Sequence, residues 1–458
     1  MYNLVILGAG ESGTGAALLA QARGLQVFVS DKGSIAEVFR QELENAGIPF
    51  EENQHTEALI LGASEVIKSP GIPDKNPLVI KLREKGIPVI DELEFAYRYS
   101  KARFIGITGS NGKTTTTLLC HHLMLACGFR AGLAGNVGKS LARQVISEDQ
   151  DWFVVEISSF QLDGLLKFRN EISVLTNITP DHLDRYEYRF ENYIQSKFRI
   201  MNNQGEDAWF ISSSSDPVVG AELANRQPAP AVLMAGQSAA VSPLLFTDGE
   251  SLHFSLPGMR RNHLPLSEFP LSGQHNQMNG LMAIAAVLLA GGDFEKIRSG
   301  LQSFRNAPHR CEPVGKIGGV QFVNDSKATN VDSVKYAFSA FEKPIIWIAG
   351  GVDKGNDYSE LDEAVREKVK ALICLGTDND KLKAHFRSIV PRILETQSVS
   401  SLVELAMQEA CAGDTVLLSP ACASFDLFRN YEDRGNQFRE AVARMENQLS
   451  GLNPAMQP

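Results

Sequence analysis

Short apolar runs of strand length alternate with helix-length segments along most of this chain. In the first hundred residues, the apolar runs predict strands at 4–7, 27–30, 58–61, 65–68 and 88–90. Regular alternation of strands and helices is typical of a parallel sheet with helices packed on its faces. The amino-terminal part is therefore predicted to be an α/β domain.

The same alternation returns twice further along the chain. Strands are predicted at 104–107, 152–156, 174–177 and 208–211, and again at 320–324, 344–349, 371–375 and 415–419. The apolar run 278–290 predicts a buried helix, and the Pro- and Ser-rich stretch 217–270 predicts a small antiparallel insertion or lid. With polar joints at 98–102 and 304–309, the pattern predicts three consecutive α/β domains. Their predicted bounds are 1–98, 99–306 and 307–450, followed by a disordered tail at 451–458.

Composition narrows the class of protein. The chain has 458 residues, a net charge of −10 and 43% hydrophobic residues, which argues against nonspecific nucleic-acid binding through a basic surface. No apolar run reaches the length of about 18 residues that a membrane span needs. The six cysteines form no Cys-x-x-Cys pair, and the first residues lack the features of a signal peptide. These features predict a reduced, cytoplasmic protein without a membrane span.

The strongest chemical signal is a glycine-rich turn between a predicted strand and a helix. It reads Gly109-Ser110-Asn111-Gly112-Lys113-Thr114-Thr115. Backbone amides, a helix N-terminus and a lysine together bind phosphates, and the first threonine can hold Mg²⁺. The common phosphate loop has a further glycine where Ile107 stands, so only part of that pattern is present. The segment predicts binding of a nucleoside triphosphate.

A second glycine-rich turn follows the first predicted strand. Gly8-Ala9-Gly10-Glu11-Ser12-Gly13, with Asp31 at the end of the next strand, matches the dinucleotide fingerprint. From these residues alone the ligand could be NAD or another nucleotide diphosphate, such as a UDP-sugar. A glycine turn with only a structural role is also compatible with the pattern.

Two polar positions follow strands near the phosphate-binding turn. Glu156 ends the strand 152–156, where phosphate-loop proteins place an acid that reaches Mg²⁺. His182 follows the strand 174–177, at the sheet edge where α/β folds bind ligands. Both are therefore candidate metal-site residues. Ser158, Ser159 and Gln161 lie on the turn after Glu156 and are candidates for substrate binding, whereas Lys197 by itself is typical of a solvated helix lysine.

Three polar segments follow strands of the last predicted domain. They are 325–330, 350–355 and 419–424, and they are rich in Lys, Ser and Thr. Because the carboxyl ends of parallel strands share one edge of a sheet, the three segments are expected to face a common cleft. Such a surface suits an anionic substrate.

The order of these motifs resembles the Mur ligase family over essentially the whole chain. Residues 108–114 look like that family's phosphate loop, which also lacks the first glycine, and 325–330 with 419–426 look like its D-glutamate-adding branch. The resemblance implies a Rossmann-like first domain that binds a UDP-substrate rather than NAD. It also implies a central phosphate-loop ATPase-like domain and a Rossmann-like last domain that binds D-glutamate.

The resemblance also implies the site residues. For ATP they are Gly109, Ser110, Asn111, Gly112, Lys113, Thr114, Thr115, Asn276, Arg310, Asp325 and Lys327. For the UDP-substrate they are Glu11, Ser12, Asp31, Lys32, Gly71, Asn136, Ser158, Ser159, Gln161 and His182. For D-glutamate they are Thr329, Lys354, Ser424 and Tyr431. For two Mg²⁺ ions they are Thr114, Glu156, His182 and Lys197, the last as a carbamate. The implied catalytic residues are Lys113, His182, Lys197 and Lys327.

The implied reaction is ATP-dependent addition of D-glutamate to UDP-N-acetylmuramoyl-L-alanine through an acyl phosphate. It belongs to cytoplasmic peptidoglycan precursor synthesis. The expected partners are these small molecules and no nucleic acid, and the protein is expected to be a monomer. Tyr431 stands where the resemblance leads one to expect Phe, and Lys32-Gly33 where some members have Thr-Arg.

Three alternatives remain open from the sequence. The first is another amide ligase of the same family that uses a different amino acid. The second is a nicotinamide-dependent dehydrogenase with an accessory ATP domain, based on 8–13 and Asp31. The third is a nucleotide-gated binding protein that carries out no chemistry. Glu156 with His182 and the polar segment 325–330 favour the ligase over the last two.

Overall fold

The chain divides into two compact units, and each is built on parallel β-structure. A computed structural model of the protein describes residues 2–147, 149–237, 244–341 and 344–451. The first unit comprises Met1–Pro270 with Met278–Phe304, and the second comprises Leu271–Gln277 with Arg305–Pro458. All but the first residue of the predicted tail 451–458 lies outside the described residues.

The first unit begins with a five-stranded parallel sheet in the order β3-β2-β1-β4-β5. Its strands are β1 Leu4–Leu7, β2 Val27–Ser30, β3 Phe50–Glu51, β4 Glu65–Lys68 and β5 Val89–Ile90. Its helices are α1 Glu11–Ala22, α2 Glu37–Asn45, α3 Glu57–Ile60, α4 Pro77–Glu84 and α5 Glu92–Tyr97. The predicted strand 58–61 is wrong, because this stretch forms α3 and buries only Ile60, while Leu59 stays 40% exposed.

A nine-stranded sheet forms the rest of the first unit, in the order β14-β13-β12-β11-β10-β9-β6-β8-β7. Its strands are β6 Arg103–Thr108, β7 Ala131–Gly135, β8 Trp152–Glu156, β9 Ile172–Leu175, β10 Trp209–Ser213, β11 Ala231–Gly236, β12 Leu245–Thr247, β13 Ser251–Phe254 and β14 Asn262–Pro265. Its helices are α6 Lys113–Ala126, α7 Leu141–Val145, α8 Ser159–Leu162, α9 Phe190–Phe198, α10 Pro217–Ala224, α11 Gln274–Leu289 and α12 Phe294–Leu301. The start of α11, up to Gln277, is assigned to the second unit.

The stretch 217–270 extends this sheet rather than forming a separate insertion. β11 pairs parallel with β10, and β12 pairs parallel with β11, whereas β13 pairs antiparallel with both β12 and β14. The prediction of a small antiparallel insertion or lid is therefore wrong for the first half of this stretch. β11 lies between β10 and β12 in the sheet, and two of its apolar residues, Leu233 and Ala235, are buried.

Helix α5 joins the two sheets of the first unit through buried carboxylates. One oxygen of Glu94 accepts hydrogen bonds from the backbone amides of Leu166, Lys167 and Phe168, each at 2.9 Å. Glu92 accepts one from the amide of Ala142 in α7, and its other carboxylate oxygen is buried without a hydrogen-bond partner. Burial is the largest influence on Glu92 and raises its pKa to about 8.

This raised pKa predicts a pH-dependent stability that Glu92→Gln removes. Between the unfolded value of 4.5 and about 8, the folded protein holds one more proton than the unfolded chain, so stability falls as pH rises. Glutamine keeps the acceptor for Ala142 and does not titrate. We expect the free energy of unfolding of the variant, relative to that of the wild type, to increase by on the order of 3 kcal/mol from pH 5 to pH 8. Urea unfolding at both pH values checks this, with the exposed Glu57→Gln as control, and an equal difference at both pH values would contradict it.

The second unit contains a six-stranded sheet in the order β15-β16-β20-β17-β18-β19, in which only β15 is antiparallel. Its strands are β15 Glu312–Ile317, β16 Val320–Asn324, β17 Ile345–Ala349, β18 Val369–Leu375, β19 Ile393–Thr396 and β20 Thr415–Leu418. Its helices are α13 Val331–Ser339, α14 Asp362–Lys368, α15 Asp380–Phe386, α16 Val399–Glu409 and α17 Tyr431–Gly451.

Three α/β sheets in succession confirm the predicted fold class. The bounds 1–98, 99–306 and 307–450 stay predictions, and the first two of these segments lie mainly in one compact unit. None of the described helices is both long and apolar enough to cross a membrane.

Candidate functional site

The glycine-rich turn between β6 and α6 adopts a conformation that side chains would disrupt. Gly112 precedes α6 in the left-handed region, with φ of 82°, and a Cβ atom there would lie 2.5 Å from the Oδ1 of Asn279. At Gly109, where φ is 149°, a Cβ atom would collide with the side chain of Thr176. Both glycines therefore allow the backbone to approach its neighbours closely.

Residues at the end of β9 hold this turn in place. The amide of Asn111 donates to Asn177 Oδ1 at 2.9 Å, and the hydroxyl of Thr176 donates to the carbonyl of Asn111 at 2.6 Å. Ser110 Oγ donates to the carbonyl of Thr179 at 2.8 Å. Because β9 lies directly beside β6 in the sheet and runs parallel to it, the residues that follow the two strands are neighbours.

Lys113 folds back over the turn that precedes it. Its ammonium donates to the carbonyls of Gly109 and Ser110, each at 2.8 Å. No side chain caps the N-terminus of α6, so the first-turn amides and the positive end of the helix dipole face the turn. Thr114 and Thr115 follow in the first turn of the helix. This arrangement is suited to the phosphates of a nucleotide.

Glu156 ends β8, on the other side of β6, and is 1% exposed. Its Oε1 accepts a hydrogen bond from Asn136 Nδ2 at 2.8 Å, and its Oε2 is buried without a hydrogen-bond partner. A buried carboxylate oxygen without a partner is costly unless a cation or donor reaches it. The residue therefore fits a bound divalent cation.

Lys197 lies inside the protein, contrary to the solvated position that the sequence alone suggests. Its side chain is 1% exposed, and its Nζ donates to Thr108 Oγ1 at 3.2 Å. The pKa of Lys197 lies well below its ordinary value, first because burial penalises the charged form and then because of the positive charge of Lys113. The negative charges of Asp181 and Glu156 act to raise the pKa of Lys197, and both carboxylates therefore lie near its amine.

His182 lies at the start of a tight turn after β9, in the left-handed region with φ of 51°. Its ring is half exposed, with Nε2 3.5 Å from a carboxylate oxygen of Asp181, and it packs edge-on against Phe160 with ring centres 5.2 Å apart. Non-glycine residues with positive φ are uncommon and often occur at functional sites. Phe160 in turn lies under the guanidinium of Arg185, which donates to the carbonyl of Gly71 at 3.3 Å.

The first glycine-rich turn is also sterically determined. A Cβ at Gly13 would collide with the carbonyl of Gly8, which itself has φ of 94°. Asp31 fixes this end of the sheet, since its Oδ2 accepts from the amide of Ala9 at 2.7 Å and its Oδ1 from the amide of Gly33 at 2.8 Å. The turn is thus held open at the carboxyl ends of β1 and β2.

In the second unit, the three polar segments follow the adjacent strands β16, β20 and β17. Asp325 is buried and accepts from Ser419 Oγ at 2.8 Å, and burial raises its pKa to about 7. The ammonium of Lys327 lies 3.7 Å from the centre of the Tyr431 ring. Tyr431 thus presents an aromatic face to a lysine, as Phe would, and adds a hydroxyl. Ser424 is buried and Lys354 is exposed, each on one of these segments.

Three family models match this chain in succession. The Mur ligase MurD-like N-terminal domain matches residues 2–91, the Mur ligase middle domain matches 107–287, and the Mur ligase glutamate ligase domain matches 309–422. The UDP-N-acetylmuramoylalanine–D-glutamate ligase of Cytophaga hutchinsonii is 50% identical over 444 residues, which cover 96% of this chain and 99% of that protein. This chain belongs to the Mur ligase family.

Other members of the family agree with this assignment. The enzyme of the same name from Bacteroides fragilis is 47% identical over 452 residues, covering 97% of this chain and 100% of that protein. Among solved structures, UDP-N-acetylmuramate-alanine ligase from Thermotoga maritima matches with a TM-score of 0.60 and 17% identity, covering 98% of this chain and all of that one. Identity at that level supports the shared fold alone.

Several residues predicted to bind substrates in this Mur ligase have structural contacts. Ser158 and Gln161 form a capping box at the start of α8, in which each side chain accepts from the other's backbone amide. Glu11 accepts from the amide of Ser140 at 3.0 Å and pairs with Arg143 at 3.2 Å. Asn276 donates to the carbonyl of Ser272 at 2.8 Å. Their substrate roles stay predictions.

The remaining predicted residues are placed as follows. Ser12 is half-buried in the first turn of α1, and Lys32 is exposed after β2. Ser159 is buried, and its carbonyl accepts from Ser196 Oγ at 3.0 Å. Thr329 is half-buried, and its amide donates to the carbonyl of Lys327 at 2.9 Å. Arg310 follows His309, which has φ of 65°.

Sequence reasoning missed Arg434, which is 1% exposed in α17. Its guanidinium donates to carbonyls of all three polar segments, at 2.9 Å to Ser326, 3.3 Å to Gly350 and 3.2 Å to Cys422. Burial lowers its pKa to about 10. In the sequence it is one arginine in a polar, charged helix, so no local signal separates it from solvated neighbours. Thr176 and Asn177 brace the phosphate-binding turn, but in the sequence they lie at the end of a predicted strand, where no local signal marks them as part of the site.

Proposed function

We propose that this chain joins D-glutamate to UDP-N-acetylmuramoyl-L-alanine at the expense of ATP, a step of peptidoglycan precursor synthesis. Relatives 47–50% identical over 96–97% of the chain carry the name of that ligase. The buried, unpartnered oxygen of Glu156 beside the phosphate-binding turn carries the chemical part of the proposal. This combination suits phosphoryl transfer and has no use in hydride transfer, which favours the ligase over the dehydrogenase interpretation.

The reaction proceeds in two steps. A carboxylate oxygen of the L-alanyl group attacks the γ-phosphorus of ATP, the bond to the bridging oxygen breaks, and ADP leaves an acyl phosphate. The amine of D-glutamate then attacks the acyl carbon, inorganic phosphate leaves, and the amine loses a proton as the amide forms. Both steps place negative charge on phosphate oxygens, which positive groups must stabilise.

Lys113 and the amides of the phosphate-binding turn supply part of that stabilisation. The lysine now bonds the carbonyls of Gly109 and Ser110, so it reaches a phosphate by exchanging those bonds for charge-assisted ones. We propose Gly109, Ser110, Asn111, Gly112, Lys113, Thr114 and Thr115 as ATP-binding residues. The same role is proposed for Asn276, Arg310, Asp325 and Lys327.

The residues present also fit Mg²⁺. We assign Thr114, Glu156, His182 and the carbamate of Lys197 as the side chains that hold two ions. When bound, Mg²⁺ neutralises charge on phosphoryl oxygens and helps to orient them. The fit rests on the chemistry of the donors, because Glu156 offers a buried free oxygen and oxygen ligands are those that Mg²⁺ prefers.

Lys197 becomes an oxygen donor only if its amine is neutral. The lone pair of a neutral amine attacks CO₂, the N–C bond forms, and one proton leaves to give a carbamate. Burial of Lys197 favours this neutral form, and the nearby Lys113 disfavours a second positive charge. A carbamate would place negative charge next to Lys113 instead, which removes that repulsion.

The substrates occupy the ends of the parallel sheets in this proposal. The UDP-substrate lies at the first glycine-rich turn and contacts Glu11, Ser12, Asp31, Lys32, Gly71, Asn136, Ser158, Ser159, Gln161 and His182. D-glutamate contacts Thr329, Lys354, Ser424 and Tyr431. A lysine and neutral hydroxyl groups match its two carboxylates.

Phosphate release from ATP and Mg²⁺ tests the function. The UDP-substrate is present, and D-glutamate, L-glutamate and other amino acids are added singly. We expect release only when the UDP-substrate and D-glutamate are both present. Release that depends on another amino acid would keep the ligase chemistry and overturn the substrate, and no stimulation by any combination would overturn the proposal.

A further inference from the structure

The segment 350–357 carries Lys354, and Asp353 makes several of the side-chain contacts that anchor it. Gly350, Gly351 and Gly355 all have positive φ, at 129°, 123° and 89°. Glycines confer large backbone freedom, so this segment would sample many conformations unless other contacts fixed it. Lys354 itself is exposed, so the contacts that fix the segment come from its neighbours.

Asp353 makes those contacts. Its Oδ1 accepts from the amides of Gly355 at 2.7 Å and Asn356 at 3.1 Å. These two hydrogen bonds close a tight turn that contains Lys354. Its Oδ2 accepts from the hydroxyl of Tyr358 at 2.7 Å. These bonds lower the pKa of Asp353 in spite of partial burial, so it remains a carboxylate at neutral pH.

Lys381 ties this turn to a different element of the sheet. It lies in α15, after β18, and its Nζ donates to Asp353 Oδ1 at 2.9 Å and to the carbonyl of Asn356 at 2.7 Å. The same ammonium lies 5.3 Å from the centre of the Tyr358 ring. One lysine from outside the segment thus contacts two of its residues, Asp353 and Asn356, and also Tyr358, which directly follows it.

The other side of the segment is joined to the loop that carries Ser424. Val352 and Ala423 exchange backbone hydrogen bonds of 2.8 and 3.1 Å, and the side-chain amide of Asn356 donates to the carbonyl of Ala421 at 3.1 Å. The turn that Asp353 closes therefore also affects where the 421–424 loop lies.

From these contacts we infer that Asp353 and Lys381 are positioning residues, which hold Lys354 and Ser424 in place for the amino-acid substrate. This inference rests on the proposed function, in which those two residues bind D-glutamate. Neither Asp353 nor Lys381 needs to touch the substrate. Fixing a binding segment before the ligand arrives improves affinity because less conformational freedom is lost on binding.

Steady-state kinetics of Asp353→Ala, Lys381→Ala and Lys381→Arg test the inference. We expect the two alanine variants to raise the KM for D-glutamate about 10-fold, because a mobile segment weakens binding of that substrate. The KM values for ATP and the UDP-substrate, and kcat, should stay within about 2-fold of wild type. Arginine at 381 keeps a cation and should recover most of the affinity.

Lys383→Ala is the matched control. It lies on the same helix and loses an ion pair of similar length, 2.8 Å to Glu395, that does not involve the segment. Should Asp353→Ala fold poorly, the 381 variants still decide the matter, since that side chain is 53% exposed. An unchanged KM for D-glutamate in Lys381→Ala, or equal changes in all three KM values, would overturn the inference.

Failure of the proposed function gives a different result. In that case the wild-type enzyme itself shows no phosphate release that depends on D-glutamate. If it responds to another amino acid, the same variants are expected to raise the KM for that amino acid, and a KM that did not change would overturn the positioning role.

Discussion

A Lys197→Met variant is expected to lose activity by about 10³-fold while folding at least as stably as the wild-type protein. Activity falls because methionine cannot form the carbamate proposed to hold Mg²⁺. Stability does not fall, because methionine has a similar length and fills the same buried space without an amine that must be desolvated. Opposite effects on activity and stability separate a chemical role of Lys197 from a packing role.

The stability difference depends on pH in a defined direction. The ordinary pKa of 10.5 applies to the unfolded chain, and the folded pKa lies well below it. Between these two values the unfolded chain binds one more proton, so wild-type stability rises with pH. The advantage of Lys197→Met should therefore be largest at low pH, on the order of 1–3 kcal/mol, and should shrink as pH approaches 10.

Thermal unfolding in bicarbonate-free buffer measures this effect, and phosphate release with and without added bicarbonate measures the activity. Bicarbonate should raise the activity of the wild-type enzyme and leave that of Lys197→Met unchanged. The exposed Lys167→Met serves as control and should behave as wild type in both assays. A fully active Lys197→Met enzyme would exclude the carbamate.

Glu156→Gln is expected to reduce activity at least 10²-fold and to raise the Mg²⁺ concentration that activity requires. The substitution keeps one oxygen that can accept from Asn136. It replaces the buried, unpartnered Oε2 with an amide nitrogen and removes the negative charge of the side chain. A neutral ligand binds Mg²⁺ less tightly than a carboxylate does. The fold should change little, because the amide has almost the same shape.

Titration of activity with Mg²⁺ distinguishes this role from a structural one. The midpoint should move to higher Mg²⁺ in Glu156→Gln, and excess Mg²⁺ should recover part of the activity. Asn136→Ala is the milder comparison, since it removes the donor that orients Oε1 but leaves both carboxylate oxygens, and it should move the Mg²⁺ midpoint by no more than about 10-fold. An unchanged midpoint in Glu156→Gln would refute its assignment as a metal ligand.

The sequence predicts the site best where chemistry and local structure coincide. Gly109, Gly112 and Lys113 lie in a turn between a strand and a helix, and the structure confirms that setting. Glu156 could be singled out because it ends an apolar strand beside that turn. The three polar segments of the last sheet could be expected to converge because parallel strands share an edge, and β16, β20 and β17 are indeed neighbours.

What the sequence could not reveal depends on contacts between distant residues. Lys197 reads as a surface lysine, because nothing within α9 shows that Thr108 and Glu156 lie around its amine. Arg434 reads as one more charge on a polar helix, because its partners come from three separate loops. The false strand at 58–61 has the same origin, since an apolar run of four residues does not reveal whether one or several of them will be buried.

The bracing of the phosphate-binding turn has a consequence for synthesis on the ribosome. Every strand of the first sheet has been made by residue 90, but the turn at 109–114 is braced by Asn177 and packs against Asn279. At about 5–20 residues per second, the gap between the turn and Asn279 takes on the order of ten seconds to translate. During that time the nascent chain can complete its first sheet while the nucleotide site stays unfinished. A nascent chain released before Asn279 emerges should therefore fold at its amino-terminal end without being able to hold ATP.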